Sequence, residues 1–155
     1  MGKIRSVLFV CTGNSCRSIM AEGLLRKALK DLGKDNIVVS SAGTNILDGY
    51  RPTPETIKVM KREGVDVSDY RSKSLTDELI IGFDLILVMA AHHMDYVIKR
   101  VPEAVSKTYL LKQYGLQNGS AASFDVRDPI GMPMETYEYT LDEIKREVNR
   151  IARIL

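Results

Sequence analysis

The sequence contains few residues of the kinds that build disulfide frameworks or metal sites. Its 155 residues include only two cysteines and two histidines. Cys11 and Cys16 stand close together with no other thiol in the chain, so they do not make a structural disulfide framework. Zinc coordination is also disfavoured, because His92 and His93 are adjacent and far in sequence from both cysteines. The two thiols are therefore interpreted as reactive groups rather than structural ones.

Long apolar runs and an excess of one charge are missing as well. No apolar stretch approaches the length of a membrane span, and the run near the N-terminus is too short for the core of a signal peptide. The 22 basic and 20 acidic residues give a formal net charge of +2, which is too even to indicate a nucleic-acid-binding surface. We therefore expect a cytoplasmic protein that binds neither nucleic acid nor a membrane.

What the chain does contain is a regular alternation of apolar strands and amphipathic helices. The hydrophobic pattern predicts strands at 7–10, 37–39, 84–89 and 107–111, and helices at 17–32, 53–64, 92–100 and 141–155. Thr53 followed by Pro54 is typical of a helix start. Residues 115–133 are rich in Gly, Ser, Asp and Pro and are predicted to form a loop.

Strands that alternate with helices indicate a parallel sheet covered on both faces. The fold class is therefore predicted to be α/β, as a three-layer α/β/α domain with a four-stranded parallel sheet that spans residues 1–155. Ligands in such sheets bind outside the carboxyl ends of the strands. Cys11 stands at the carboxyl end of the first predicted strand, so this residue lies where a binding site is expected.

The segment between the first strand and the first helix has the composition of an oxyanion-binding loop. Its residues tolerate tight backbone turns, so the N–H groups can converge at a helix N-terminus and bind a tetrahedral anion. Arg17 can clamp two oxygens of that anion at once. The residues of this predicted phosphate-binding loop are Thr12, Gly13, Asn14, Ser15, Cys16 and Arg17.

The same positive field favours the thiolate form of a cysteine at the loop's start. Cys11 is therefore predicted to be a nucleophile that lies beneath a bound phosphate. Ser18 follows the arginine, and its hydroxyl can donate a hydrogen bond to the Cys11 sulfur when that sulfur leaves.

These residues strongly resemble the low-molecular-weight protein tyrosine phosphatases, in the bacterial branch that includes protein arginine phosphatases. The resemblance begins at residues 10–18 and continues through Met20-Ala21-Glu22. It extends over nearly the whole chain, through Ser41-Ala42-Gly43-Thr44, residues 64–73, Leu87-Val88-Met89 and Asp128-Pro129.

The resemblance implies a role for each matching position. Cys11 attacks phosphorus and forms a phosphocysteine, while Arg17 and the loop amides stabilise the transition state. Asp128 protonates the leaving oxygen and then activates water. Asn14 supports the loop, and no metal or other cofactor is needed. The implied partners are phosphorylated proteins, with inorganic phosphate or other oxyanions as product or inhibitors.

Cys16 has two interpretations that the sequence leaves open. It is either a small, inert residue at the helix start or a redox partner that forms a disulfide with Cys11 and protects it from over-oxidation. The resemblance favours the protective role.

Several positions depart from the family pattern. Ile19 stands where many relatives have proline, and Tyr70 stands where eukaryotic relatives have a histidine that supports the loop, so that support is expected to be built differently. Ile130 replaces an aromatic residue, which predicts one aliphatic wall for the substrate pocket. Tyr50 is either the other wall or an exposed loop residue. His92 and His93 are predicted to be surface residues at a helix start.

Ser15 bears most directly on the choice of substrate. Tyrosine-selective relatives often carry an apolar residue there, whereas protein arginine phosphatases carry a threonine whose hydroxyl assists phosphoarginine. Phosphotyrosine is the first choice of substrate and phosphoarginine the alternative. Arsenate reductases of the same fold need a further cysteine pair that this chain lacks. A catalytically silent oxyanion-binding module is a further, less favoured alternative.

Overall fold

The computed structural model describes residues 2–116 and 124–155. One four-stranded parallel sheet forms the centre, and its strand order is β2-β1-β3-β4. The strands are β1 (Ser6–Cys11), β2 (Val38–Gly43), β3 (Leu85–Val88) and β4 (Thr108–Leu110). The predicted four-stranded parallel sheet is confirmed, with β1 as one of the two inner strands.

Helices cover both faces of this sheet. Helices α1, α2 and α5 pack on one face, while α3 and α4 pack on the other, which confirms the three-layer arrangement. Their bounds are α1 (Arg17–Asp31), α2 (Pro54–Arg62), α3 (Asp77–Gly82), α4 (Ala91–Arg100) and α5 (Met134–Ile154), with a 3₁₀ helix at Pro102–Lys107.

Strand β1 is buried on both faces, as its unbroken apolar run predicts. Val7 and Phe9 belong to the core beneath α1 and α5, whereas Leu8 and Val10 belong to the core beneath α3 and α4. All four side chains are fully buried. Burying each one contributes about 1.5–3 kcal/mol relative to exposure, so the strand that ends at Cys11 is firmly anchored.

The start of α2 also follows the prediction. The Thr53 side chain accepts a hydrogen bond of 3.3 Å from the Thr56 backbone N–H, and Pro54 occupies the first helical turn. Gly64 follows the helix with φ of 79°, a left-handed conformation that glycine adopts without steric cost. Thr53 also donates its own N–H to the Ser15 carbonyl at 3.1 Å, so this cap holds the loop after β1.

The structure differs from the prediction in three elements. Strand β2 continues to Gly43 instead of ending at residue 39, because residues with weak strand propensity pair with the buried β1 across the sheet. Helix α5 begins at Met134 rather than near residue 141. Helix α3 was not predicted, since its six residues are too short to show a helical period. Of the predicted loop at 115–133, residues 117–123 lie outside the described residues, and residues 124–133 form no helix or strand.

Gly43 ends β2 at a point of close approach between two backbone segments. A Cβ atom there would stand 2.6 Å from the Thr12 carbonyl oxygen and 3.1 Å from the Asn14 nitrogen. Both atoms belong to the loop after β1, which cannot move away without losing its own hydrogen bonds. Only glycine lets this loop lie against the end of β2.

A Gly43→Ala substitution is therefore expected to lower the free energy of unfolding by about 1–3 kcal/mol, the typical cost of overpacking. Urea unfolding measures this loss. Gly82→Ala is the matched control, because a Cβ at Gly82 would meet no atom within 4 Å. Equal stability of the Gly43→Ala variant and the wild-type protein would contradict the close approach.

Candidate active site

A cavity of about 290 Å³ opens at the carboxyl end of β1. It brings together most of the residues that the sequence predicts for the site, together with two from the loop after β2. Its lining residues are Cys11, Thr12, Gly13, Ser15, Cys16, Arg17, Asn45, Ile46, Asp128 and Ile130. Asn14, a loop residue, and Ser18, in α1, do not line the cavity, and their buried side chains support the loop from the side away from it. A larger depression, about 450 Å³, lies near Lys3 and Lys107 and contains none of the predicted residues.

Asn14 holds the loop in shape from behind. Its backbone has φ of 48° and its side chain is 1% exposed. Its Nδ2 donates to the hydroxyls of Ser18 and Ser41 at 2.7 and 2.9 Å, and its Oδ1 accepts from the Lys73 N–H at 2.9 Å. These bonds tie the loop to α1, to β2 and to the segment before α3.

The Cys11 sulfur receives hydrogen bonds from the loop and from α1. The Asn14 N–H donates to Sγ at 3.3 Å, and the Ser18 hydroxyl lies 2.9 Å from Sγ. Since the Ser18 oxygen already accepts from Asn14 Nδ2, its own proton is free to donate to the sulfur. This arrangement suits an anionic sulfur, both as a nucleophile and as a leaving group.

A buried carboxylate extends the support of the loop to a second layer. Ser41 donates to Glu22 Oε1 at 2.5 Å, and Arg26 forms an ion pair with Glu22 Oε2 at 2.7 Å. Burial raises the pKa of Glu22, and the Ser41 hydrogen bond and the Arg26 charge oppose that shift. The Arg26 guanidinium lies 5.4 Å from the centre of the Tyr70 ring and donates to the Tyr70 hydroxyl at 3.1 Å. Tyr70, which stands where eukaryotic relatives have a supporting histidine, thus contacts Arg26 and through it Glu22.

Arg17 lies at the base of the cavity and is 4% exposed. Its Nη1 donates to the Val126 carbonyl at 2.9 Å, and its Nη2 lies 3.4 Å from Asp128 Oδ2. Its buried Nε has no partner among the described residues. Because buried donors are nearly always paired in proteins, the guanidinium has unused capacity for an oxyanion.

Asp128 and Ile130 stand at the mouth of the same cavity, on the segment before α5. The Asp128 side chain is 43% exposed, so it is accessible to water and to a ligand. Its Oδ1 accepts from the Ile130 N–H at 3.1 Å, which orients the carboxylate. Asp128 and Cys11 thus line the same cavity.

The comparison with known families accounts for this arrangement. The family model described as low molecular weight phosphotyrosine protein phosphatase matches residues 6–155. The chain belongs to this family. As a member it is a cysteine-dependent phosphoprotein phosphatase, and the resemblance seen in the sequence is confirmed.

Relatives with known names and structures cover almost all of this phosphatase. A protein-arginine-phosphatase of Geobacillus stearothermophilus is 37% identical, over 96% of this chain and 95% of its own. The crystal structure of a low molecular weight protein tyrosine phosphatase from T. tengcongensis is 41% identical with a TM-score of 0.87, covering 97% and 99% of the two chains. Vibrio vulnificus Wzb in complex with benzylphosphonate is 32% identical with a TM-score of 0.86, covering 99% and 100%. The ligand of the Wzb structure, benzylphosphonate, is an oxyanion.

The walls of the phosphatase cavity differ in part from the expected ones. Ile130 lines the cavity, but Tyr50 is 56% exposed and lines an adjacent depression with Leu47 and Ser74. Asn45 and Ile46 line both spaces and were not predicted. A hydrogen bond of 3.0 Å from the Asn45 N–H to the Thr12 carbonyl brings them against the loop, and no sequence pattern signals this contact.

Cys16 of the phosphatase is a buried free thiol at the start of α1. Its Sγ lies 3.5 Å from Thr53 Oγ1 and donates toward the Tyr137 hydroxyl at 3.8 Å. Burial raises the pKa of Tyr137 to about 12, so this phenol stays protonated at neutral pH. Cys16 also lines the cavity in which Cys11 lies.

The prediction that both histidines lie at the surface is wrong for His93. His92 is exposed, but His93 is completely buried, and its Nε2 lies 2.9 Å from the Thr12 hydroxyl. Adjacent helical residues point about 100° apart, so one side chain of the pair faces solvent while the other faces the loop. Burial, His92 and Arg17 lower the pKa of His93 to about 3.

The described residues contain no group of three or more His, Cys, Asp or Glu side chains that could hold a metal ion. Within residues 2–116 and 124–155, no helix has the length and apolar character needed to cross a membrane.

Proposed function

We propose that this phosphatase hydrolyses phosphotyrosine in proteins through a phosphocysteine on Cys11. The observation that carries the proposal is the set of hydrogen bonds at the Cys11 sulfur, from Ser18 at 2.9 Å and Asn14 at 3.3 Å. Arg17 and the loop amides, which surround the same cavity, are the groups that would stabilise charge on the transferring phosphoryl group.

The proposed reaction has two steps. The Cys11 thiolate attacks phosphorus, the bond from phosphorus to the leaving oxygen breaks, and Asp128 gives its proton to that oxygen. Asp128 then takes a proton from water, whose oxygen attacks the phosphocysteine and releases inorganic phosphate. The bond from phosphorus to sulfur breaks, and the Ser18 hydroxyl stabilises the departing thiolate. Asn14 keeps the loop amides directed toward the phosphate.

The lining of the cavity suits phosphotyrosine. Ile46 and Ile130 provide apolar walls, and a flat ring can bury its faces between side chains of this kind. Ile130 and Tyr50 are proposed as substrate-contacting residues, with Tyr50 on the adjacent depression where flanking residues of the protein substrate would lie. The named activity of the T. tengcongensis relative agrees with this substrate.

Phosphoarginine is the second candidate substrate. Ser15 lines the cavity, and its hydroxyl can hydrogen-bond a guanidinium that an apolar side chain would leave unpaired. The Geobacillus stearothermophilus relative is named for this activity. Arsenate reduction remains disfavoured, because the sequence has no cysteine beyond Cys11 and Cys16 to pass electrons onward.

We further propose that residues 1–155 act as one catalytic domain in the cytoplasm, with phosphorylated proteins as substrates and phosphate as a product inhibitor. Cys16 is proposed as a redox partner of Cys11. Peroxide would oxidise the Cys11 thiolate to a sulfenic acid, and the Cys16 thiol would displace water from it to form a disulfide. A thiol reductant would then restore both cysteines.

Cys11→Ser is expected to abolish phosphate release, because a serine hydroxyl is a far weaker nucleophile than a thiolate. Asp128→Asn is expected to lower kcat by about 10²–10⁴ on phosphotyrosine peptides, the typical contribution of a general acid. Asp35→Asn is the control, an exposed carboxylate that does not line the cavity. Stopped assays of phosphate release measure all three. Phosphate release that does not depend on Cys11 would defeat the proposed function.

Ser15→Ile is expected to lower kcat/KM for phosphoarginine peptides about tenfold more than for phosphotyrosine peptides, since the hydroxyl that it removes is proposed to bond the guanidinium and not the tyrosine ring. Ser15→Thr keeps the hydroxyl and serves as the control. Both activities are measured on peptides of one sequence. An equal effect of Ser15→Ile on the two substrates would contradict a role for Ser15 in choosing between them.

Wild-type protein inactivated by hydrogen peroxide is expected to recover most of its activity in dithiothreitol, whereas Cys16→Ser is expected to stay inactive. The reason is that only the disulfide shields the Cys11 sulfur from irreversible oxidation. Intact mass spectrometry distinguishes the disulfide from sulfinic and sulfonic acids. Equal recovery of the two proteins would assign Cys16 to packing alone.

A further inference from the structure

A hydrogen bond from His93 joins helix α4 to the phosphate-binding loop. His93 is the third residue of the helix and is completely buried, with Nε2 2.9 Å from Thr12 Oγ1. The Ala91 N–H at the start of α4 donates to Asp125 at 2.9 Å, which fixes the first turn of the helix. The contact between His93 and Thr12 links positions that are 81 residues apart in the sequence.

The imidazole is neutral at any working pH. Burial, the neighbouring His92 and the Arg17 guanidinium all disfavour its charged form and lower its pKa to about 3. A neutral ring has one N–H and one lone pair. Nδ1 is buried and has no partner among the described residues. Because an orphaned N–H is rarer in proteins than an orphaned acceptor, we assign the proton to Nε2, which donates to Thr12.

Thr12 is therefore held from two sides. Its carbonyl oxygen accepts from the Asn45 N–H at 3.0 Å, and its hydroxyl oxygen accepts from His93. Thr12 is the residue directly after Cys11 and lines the cavity. Its orientation sets the direction in which the loop leaves β1, and with it the positions of the amides that follow.

We propose that His93 is a positioning residue that sets the phosphate-binding loop through the Thr12 side chain, as a neutral hydrogen-bond donor that adds no charge to the anion site. This inference rests on the proposed function. It assigns a function to a buried polar group that packing alone does not explain, since an apolar side chain would fill the same space without desolvating two nitrogens.

Four variants test the assignment. His93→Phe keeps a ring and removes the donor, while His93→Gln places an amide donor near the position of Nε2. Thr12→Val removes the acceptor at similar volume. His92→Phe is the matched control, because His92 is exposed and phenylalanine keeps an aromatic ring beside His93. Two readouts are used: kcat and KM on p-nitrophenyl phosphate, and the protection of Cys11 by inorganic phosphate against alkylation with iodoacetate.

His93→Phe is expected to lower kcat and to weaken phosphate protection, each about tenfold, as the loss of one buried hydrogen bond predicts. His93→Gln is expected to stay within about threefold of wild type. Thr12→Val is expected to match His93→Phe, and the double variant to be no worse than either. His92→Phe is expected to match wild type.

A His93→Phe protein that melts at lower temperature but keeps wild-type kinetics and phosphate protection would overturn the proposal, because His93 would then only fill space. Additive effects of His93→Phe and Thr12→Val would also overturn it. Phosphate protection is measured without turnover. An inactive wild-type protein that phosphate still protects would therefore contradict the proposed function, while the positioning role would still be decided by the variants.

Discussion

The left-handed backbone at Asn14 is the constraint on which the rest of the site depends. A φ of 48° is unfavourable for most residues but accessible to asparagine, whose short side chain can bond to nearby groups. Here the side chain is bonded at both ends, to Ser18 and Ser41 through Nδ2 and to the Lys73 amide through Oδ1. These bonds offset the strain. They also turn the loop so that its backbone N–H faces the Cys11 sulfur.

The donor and the acceptor of each hydrogen bond behind the loop follow from the other contacts that the same groups make. Glu22 accepts from Ser41, so the Ser41 oxygen is left to accept from Asn14. Asn14 in turn donates to the Ser18 oxygen, which leaves the Ser18 proton for the sulfur. Each hydroxyl is a donor on one side and an acceptor on the other. The Ser41–Glu22 pair and the Lys73 N–H together fix the orientation of the Asn14 amide, which leaves the Ser18 proton for Cys11.

Positive charge at the site is concentrated in one side chain. Among the described residues that line the cavity, Arg17 is the single basic one, and it is held by the Val126 carbonyl and by Asp128. The nearby His93 stays neutral because it is buried beside that guanidinium. The anion site thus combines one fixed cation with neutral donors of the backbone. The proposed binding of phosphate therefore does not require a protonated histidine.

Much of the fold and of the candidate site follows from local patterns in the sequence. The apolar runs predict β1, β3 and β4, and the helical period predicts α1, α4 and part of α5. The spacing of Cys11 and Arg17 across a turn-forming loop predicts the proposed anion site, and both residues line one cavity. These features are local, since each depends on residues within one helix, one strand or one connecting loop.

Only the tertiary structure decided the rest, because those features depend on contacts between distant segments. Strand β2 extends to Gly43 because it pairs with β1. Glycine is required at this position because the backbone of the loop after β1 lies against its Cα and leaves no space for a Cβ. The pocket wall is formed by Ile46 rather than Tyr50 because the Thr12 carbonyl bonds Asn45. His93 is buried because α4 packs beneath the loop, a contact between residues 81 positions apart that no local pattern encodes.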